Sequence, residues 1–212
     1  MTNLSPAGLP EGLPEGQDEP EPDSTYLDSS NKDWGGLSAR FGIDIQCDDA
    51  RWQPYVGLVE TRLGALAQTL ALPAHGEVSI KLTDDRQISE LNMGFRGKSG
   101  ATNVLSFPAQ DFSAPAEQGI FPKMAFSLGD IVVAFDTLAC EAGAAEKEFA
   151  DHLTHLLVHG FLHLLGYDHQ NDADAVQMEA QEIALLEGVG VGDPYFAGSP
   201  ETGKAQTEGG KR

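Results

Sequence analysis

The run from Phe149 to His169 narrows the possible folds more than any other stretch of the chain. Apolar residues Phe149, Leu153, Leu156, Leu157 and Leu164 recur at helical spacing from about Ala145 onward, and Gly166 stands where such a helix stops. Within the run, His159 and His163 are four residues apart. In an α-helix that spacing puts both on one face, about one turn from each other. Gly166 can leave the helix at positive φ, which side-chain-bearing residues resist. The ensuing turn swings His169 back toward the other two.

Ahead of this helix, strand and helix patterns alternate. Residues 43–47 and 77–82 have the apolar alternation of half-buried strands, and residues 56–72 have helical apolar spacing ended by Pro73. Thr83 or Asp84 suits an N-cap for a short helix through Ile88 and Leu91. Residues 94–100 read as a loop, residues 103–107 as a strand stopped by Pro108, and residues 109–126 as a long surface loop. Residues 128–135 are mostly apolar, the pattern of a strand covered on both faces, and Asp136 can cap the segment after it. A last helix spans about residues 173–187, with Val176, Ile183, Leu185 and Leu186 as its apolar positions. The expected class is α+β: a small mixed β-sheet packed against helices, with a zincin-like metal-binding helix.

The flanks differ in composition. Residues 1–40 run through Leu9-Pro10-Glu11-Gly12 and its copy Leu13-Pro14-Glu15-Gly16 into an acidic, Pro-rich stretch, and such a segment is expected to be a disordered extension. Residues 198–212, rich in Gly, Lys and Glu, are expected to be a second disordered tail. One catalytic domain over residues 41–197 remains. No apolar run approaches the roughly 20 residues that cross a bilayer, and the N-terminal residues are acidic instead of basic and then apolar, so a cytoplasmic protein without a membrane partner is expected. Cys47 and Cys140 are too few and too far apart for a disulfide framework or a thiolate metal site, and are expected to be buried free thiols. The formal charge of −20 argues against a general nucleic-acid binder, and acids still exceed bases by 14 over residues 36–197. Any RNA contact must then be local, through a few placed cations and a metal.

Three neutral imidazoles with an open fourth position are the ligand set of a catalytic zinc ion, one per chain, whereas structural zinc is usually closed by four protein ligands. His159, His163 and His169 are therefore the candidate ligands. Asp168 is placed either to orient a ligand or bound water, or to make a structural hydrogen bond in its turn. His152 and His155 precede His159 on nearly the same stripe, where they either line the cleft and support the ligands or simply pack beside it.

The eleven residues from His159 to His169 resemble the H-G-x-L-H-L-x-G-Y-D-H signature of the YbeY family of ribosomal RNA maturation factors. Further blocks agree in order: Phe95-Arg96-Gly97-Lys98 leading into Thr102-Asn103-Val104-Leu105-Ser106-Phe107-Pro108, then Leu128-Gly129-Asp130-Ile131, then Asp193-Pro194-Tyr195. The resemblance covers roughly residues 41–197. It implies a metal-dependent, single-strand-specific endoribonuclease acting in 16S rRNA 3′-end maturation and ribosome quality control, with ribosomal RNA and small-subunit ribosomal proteins as partners. It also implies Arg96 as the functional arginine of the cleft. Independently, a guanidinium fork suits the charge that builds on a phosphodiester during in-line cleavage, and Lys98 adds a point charge to the same loop. The nucleophile is either water or the ribose 2′-hydroxyl.

Two rival functions share these residues. The histidine spacing also matches H-E-x-x-H-x-x-G-x-x-H zinc peptidases at all positions but one, where Gly160 replaces the general-base glutamate. A metal-dependent peptidase or other hydrolase thus lacks its proton-transfer group. The second rival is a non-catalytic ribosome assembly factor whose acidic surface meets basic ribosomal proteins.

Overall fold

The computed structural model describes residues 40–110 and 121–195. The expectations for the two tails, and for most of the loop after Pro108, fall outside the described residues. In chain order the elements are β1 (Gly42–Cys47), a short 3-10 helix (Ala50–Tyr55), α1 (Val56–Thr69), β2 (Gly76–Thr83), α2 (Asp85–Leu91), a π-helical turn (Asn92–Arg96), β3 (Val104–Pro108), β4 (Phe126–Ala134), α3 (Phe135–Ala144), α4 (Phe149–Leu164) and α5 (Asp172–Gly188).

The strands form one mixed sheet in the order β1-β2-β4-β3, with β1, β2 and β4 parallel and β3 antiparallel to β4. This is the α+β arrangement expected from the alternation of patterns. Both neighbours of β4 are strands, and its buried residues from Ile131 to Ala134 serve both faces. One face of the sheet carries the main core: Ile80, Leu82, Leu128 and Ile131 meet Leu63 of α1 and Leu157 and Phe161 of α4, all essentially buried. At about 1.5–3 kcal/mol for each large apolar side chain removed from water, this layer dominates the stability of the fold. The opposite face is covered only in part, where Ile88 of α2 packs on Leu105, Val132 and Ala134. Beyond α2 that face carries a groove lined by Asp44, Gln46, Ser79 and Lys81 together with Leu91, Phe95 and Phe107.

Several local expectations are corrected. Helix α2 does not give way to a loop at Gly94: it continues as the π-helical turn through Arg96, and Gly97 ends it at φ +64°. Asp84, not Thr83, is the N-cap of α2, accepting a hydrogen bond from the Gln87 amide at 2.8 Å. Asp136 caps nothing, because Ala134 holds the N-cap position of α3 and Asp136 instead pairs with Arg51 at 2.9 Å. Helix α1 stops at Thr69, before Pro73, and the helix expected from about Ala145 begins at Phe149. In α5, Val176 is 67% exposed, whereas Met178 and Glu182 are buried. Cys47 is half-buried and Cys140 exposed, both as free thiols.

Candidate metal centre

Helix α4 is buried along most of its circumference, from Leu153 to Leu164. Its four histidines, 152, 155, 159 and 163, are spaced three, four and four residues apart and are all half-buried. They form the stripe that apolar packing leaves over. Gly160, next to His159, faces the sheet: a Cβ there would lie 2.9 Å from Ser106 Oγ and 3.2 Å from Ile131 Cγ2. The helix therefore approaches β3 and β4 closely, and a glutamate at the position where a zinc peptidase carries one would have to push the Ser106 and Ile131 side chains aside.

The end of α4 is built by Gly166. With φ at +89°, its amide donates to the His163 carbonyl at 3.1 Å, and the Tyr167 amide reaches the Leu162 carbonyl at 3.1 Å. That pair of bonds is a Schellman turn. The turned chain brings the Tyr167 carbonyl to His163 Nδ1 at 3.0 Å and carries His169 back over the helix. The rings of His159, His163 and His169 converge, with centroids 4.6, 5.4 and 5.1 Å apart, and each offers a nitrogen within 4.8 Å of the other two.

The donor set fits a divalent ion. Nε2 of His159 and Nε2 of His163 lie 3.1 Å apart, close to the roughly 3.3 Å expected of two nitrogens held about 2.0–2.1 Å from one tetrahedral ion. Both opposite ring nitrogens are occupied, since Nδ1 of His159 donates to Glu182 Oε1 at 2.7 Å and Nδ1 of His163 donates to the Tyr167 carbonyl. These bonds fix the tautomers and leave Nε2 of each ring as the free lone pair. Burial, with the neighbouring His159 adding to it, holds the His163 imidazole down to about 4, so it is neutral at pH 7 and ready to ligate.

Glu182 is the residue that sequence reasoning missed. It is 1% exposed, and its carboxylate receives His159, His155 Nε2 at 3.2 Å and the Tyr195 hydroxyl. Burial alone pushes such a carboxyl up, but the hydrogen bonds from His155, His159 and Tyr195 outweigh it and hold Glu182 down to about 2. Its signal in the sequence was faint: an acid at an inward position of α5, flanked by Met178 and Leu185.

The remaining candidates divide. Arg96 and Lys98 line one cavity of about 260 Å³ together with His159, His163 and His169. Arg96 reaches β3, the edge strand among the described residues, where its guanidinium donates to the Ser106 carbonyl at 3.4 Å. Asp168 accepts a hydrogen bond from the His169 amide at 2.7 Å, which fastens the turn that presents His169. His155 shares the Glu182 carboxylate with His159. His152 turns away, to Glu141 Oε2 at 3.0 Å, where the Asn103 side-chain amide also donates at 2.8 Å.

Fold and cluster together define an α+β protein with a three-histidine centre beside a cationic loop. Residues 44–190 match the family model described as endoribonuclease YbeY, and the chain belongs to that family. Endoribonuclease YbeY of Ruegeria pomeroyi is 46% identical over 160 residues, covering 72% of this chain and 97% of the relative. The protein of that name from Rhizobium etli strain CFN 42 is 53% identical over 169 residues, covering 74% and 94%. The solution structure of TM1509 from Thermotoga maritima shares the fold, with a TM-score of 0.50 at 24% identity over 69% of this chain and 88% of that one. No helix among the described residues is long and apolar enough to cross a membrane.

Proposed function

We propose that this chain is a zinc-dependent endoribonuclease that cleaves single-stranded RNA, acting in the cytoplasm on the 3′ end of 16S rRNA and in ribosome quality control. The observation that carries this reading is the single cavity shared by His159, His163, His169 and Arg96, in a chain whose relatives are named endoribonucleases. His159, His163 and His169 hold one zinc ion, which supplies Lewis acidity toward a phosphoryl oxygen and acidifies water. Glu182 and the Tyr167 carbonyl orient two of the ligands. Arg96, which lines the same cavity, binds the scissile phosphate and offsets the negative charge that grows on it. Lys98 adds charge to that cavity.

The acidity of the chain sets the recognition strategy. With 33 acids against 13 bases, long-range attraction to RNA is weak. The acidic surface suits docking on basic small-subunit ribosomal proteins, which present the RNA to the cleft. Peptidase chemistry is disfavoured because Gly160 stands where a zinc peptidase carries its general-base glutamate, at a position crowded by Ser106 and Ile131.

The test is cleavage of matched single-stranded and duplex oligoribonucleotides by protein of measured zinc content. Chelator-sensitive cleavage of the single strand that disappears with bound zinc in His159→Ala is expected. Equal cleavage by wild type and His159→Ala would rule the reading out.

A further inference from the structure

Arg96 and the residue before it leave the π-helical turn on opposite sides of the edge strand β3. Arg96 reaches the histidine cavity, whereas Phe95 lies over the groove on the other face of the sheet. Strand β3 alternates in the same sense, with Ser106 on the histidine side and Phe107 in the groove. The Phe95 ring meets Phe107 edge to face at 5.0 Å, yet Phe95 remains 69% exposed. Met93, two residues earlier on the same turn, is 50% exposed. A large aromatic side chain is thus steadied on one side and open on the other, adjacent in sequence to the proposed phosphate ligand.

We infer that Phe95 is a stacking platform for an unpaired RNA base next to the phosphate held by Arg96. The inference rests on the endoribonuclease reading above. Stacking is largely indifferent to base identity, and it needs no net positive charge, which this chain lacks. It also selects for single strands, because bases inside a duplex already have both faces covered. Phe107 restrains the ring before the RNA arrives, so little side-chain freedom is lost on binding. The exposed carboxylates of Asp44 and Asp130 line the same groove of about 460 Å³. With Lys81 of the same groove paired to Asp48 at 2.8 Å, they repel phosphate and accept hydrogen bonds from base amino groups, so a strand crossing the edge of β3 keeps its phosphate by Arg96 and turns its base toward Phe95.

Two measurements on the full-length, zinc-loaded chain test this. In steady-state cleavage of a short single-stranded oligoribonucleotide, Phe95→Ala is expected to raise KM about tenfold or more with little change in kcat, and Phe95→Tyr to restore it. The wild-type to Phe95→Ala ratio should hold between low and high salt, while the corresponding Arg96→Ala ratio shrinks as salt rises. In the second measurement, the added fluorescence of Phe95→Trp over wild type should be quenched by a 2′-O-methyl oligonucleotide, which requires no cleavage. Unchanged KM in Phe95→Ala, or no quenching in Phe95→Trp, overturns the stacking role, including the case where Phe95→Ala instead weakens only the binding of a basic ribosomal protein. Quenching without cleavage by wild type leaves the platform standing and sinks the enzymatic reading alone.

Discussion

The two halves of the histidine stripe on α4 are alike in sequence and unlike in surroundings. His159 and His163 face a returning chain segment that adds His169, and their Nε2 atoms point at one place. His152 and His155 face carboxylates, Glu141 and Glu182, which take up their Nε2 atoms. Their Nδ1 atoms are buried without a partner among the described residues. Spacing on a helix therefore selects which side chains share a face. The groups standing across from that face decide whether they converge on one point or fasten one helix to another.

The contrast breaks most sharply at His163. His163→Ala is expected to take bound zinc from about one equivalent to almost none and to lower RNA cleavage by at least about a hundredfold, checked by elemental analysis beside a cleavage assay. Retained stoichiometric zinc would place the ion elsewhere. Next comes Glu182→Gln, which keeps the shape but removes the charge behind His159. Zinc affinity should fall about 10- to 100-fold in a competition titration against a chromophoric chelator.

A third, smaller effect appears in the metal-free protein as a function of pH. The unfolded chain protonates His163 near its ordinary 6.5, while the folded chain refuses the proton until about 4. Stability is thus unaffected by this group above 6.5 and falls as pH drops from 6.5 to 4. Glu182, held down to about 2, then withdraws its contribution as pH falls from 4.5 toward 2. Thermal melts across this range should show continuous loss on acidification, and a flat profile between 6.5 and 4 would contradict the buried neutral state of His163. Last, His152→Ala should leave zinc content unchanged and cost about 1–2 kcal/mol of stability, read from urea unfolding. Loss of zinc in this variant would erase the distinction between the two halves of the stripe.

How much of the molecule was legible in the sequence depends on how local each cause is. The histidine triad was readable because helix period and a positive-φ glycine act within eleven residues. The mixed sheet was readable because short strand patterns, alternating or mostly apolar, are separated by helical ones along residues 43–135. Glu182 was not, because an acid on a charged helix looks solvated until the fold shows what α5 packs against. The same holds for Val176, which belongs to the apolar positions of α5 by type but stands exposed. The turn through Arg96 was hidden by Gly94 and Gly97: glycine is poor in helices, yet Gly94 is carried inside the turn, whose end at Gly97 uses the positive φ that glycine permits. Asp136 had an N-cap's composition, but the ion pair with Arg51 and the backbone at Ala134 placed it inside the first turn.

The tight seam at Gly160 also bounds what this scaffold can evolve into. A single substitution to glutamate looks, on paper, like the shortest path from an RNA-cutting centre to a peptide-cutting one. Here its Cβ would already press on the Ser106 and Ile131 side chains, so the exchange needs compensating changes in β3 and β4 and not one codon alone.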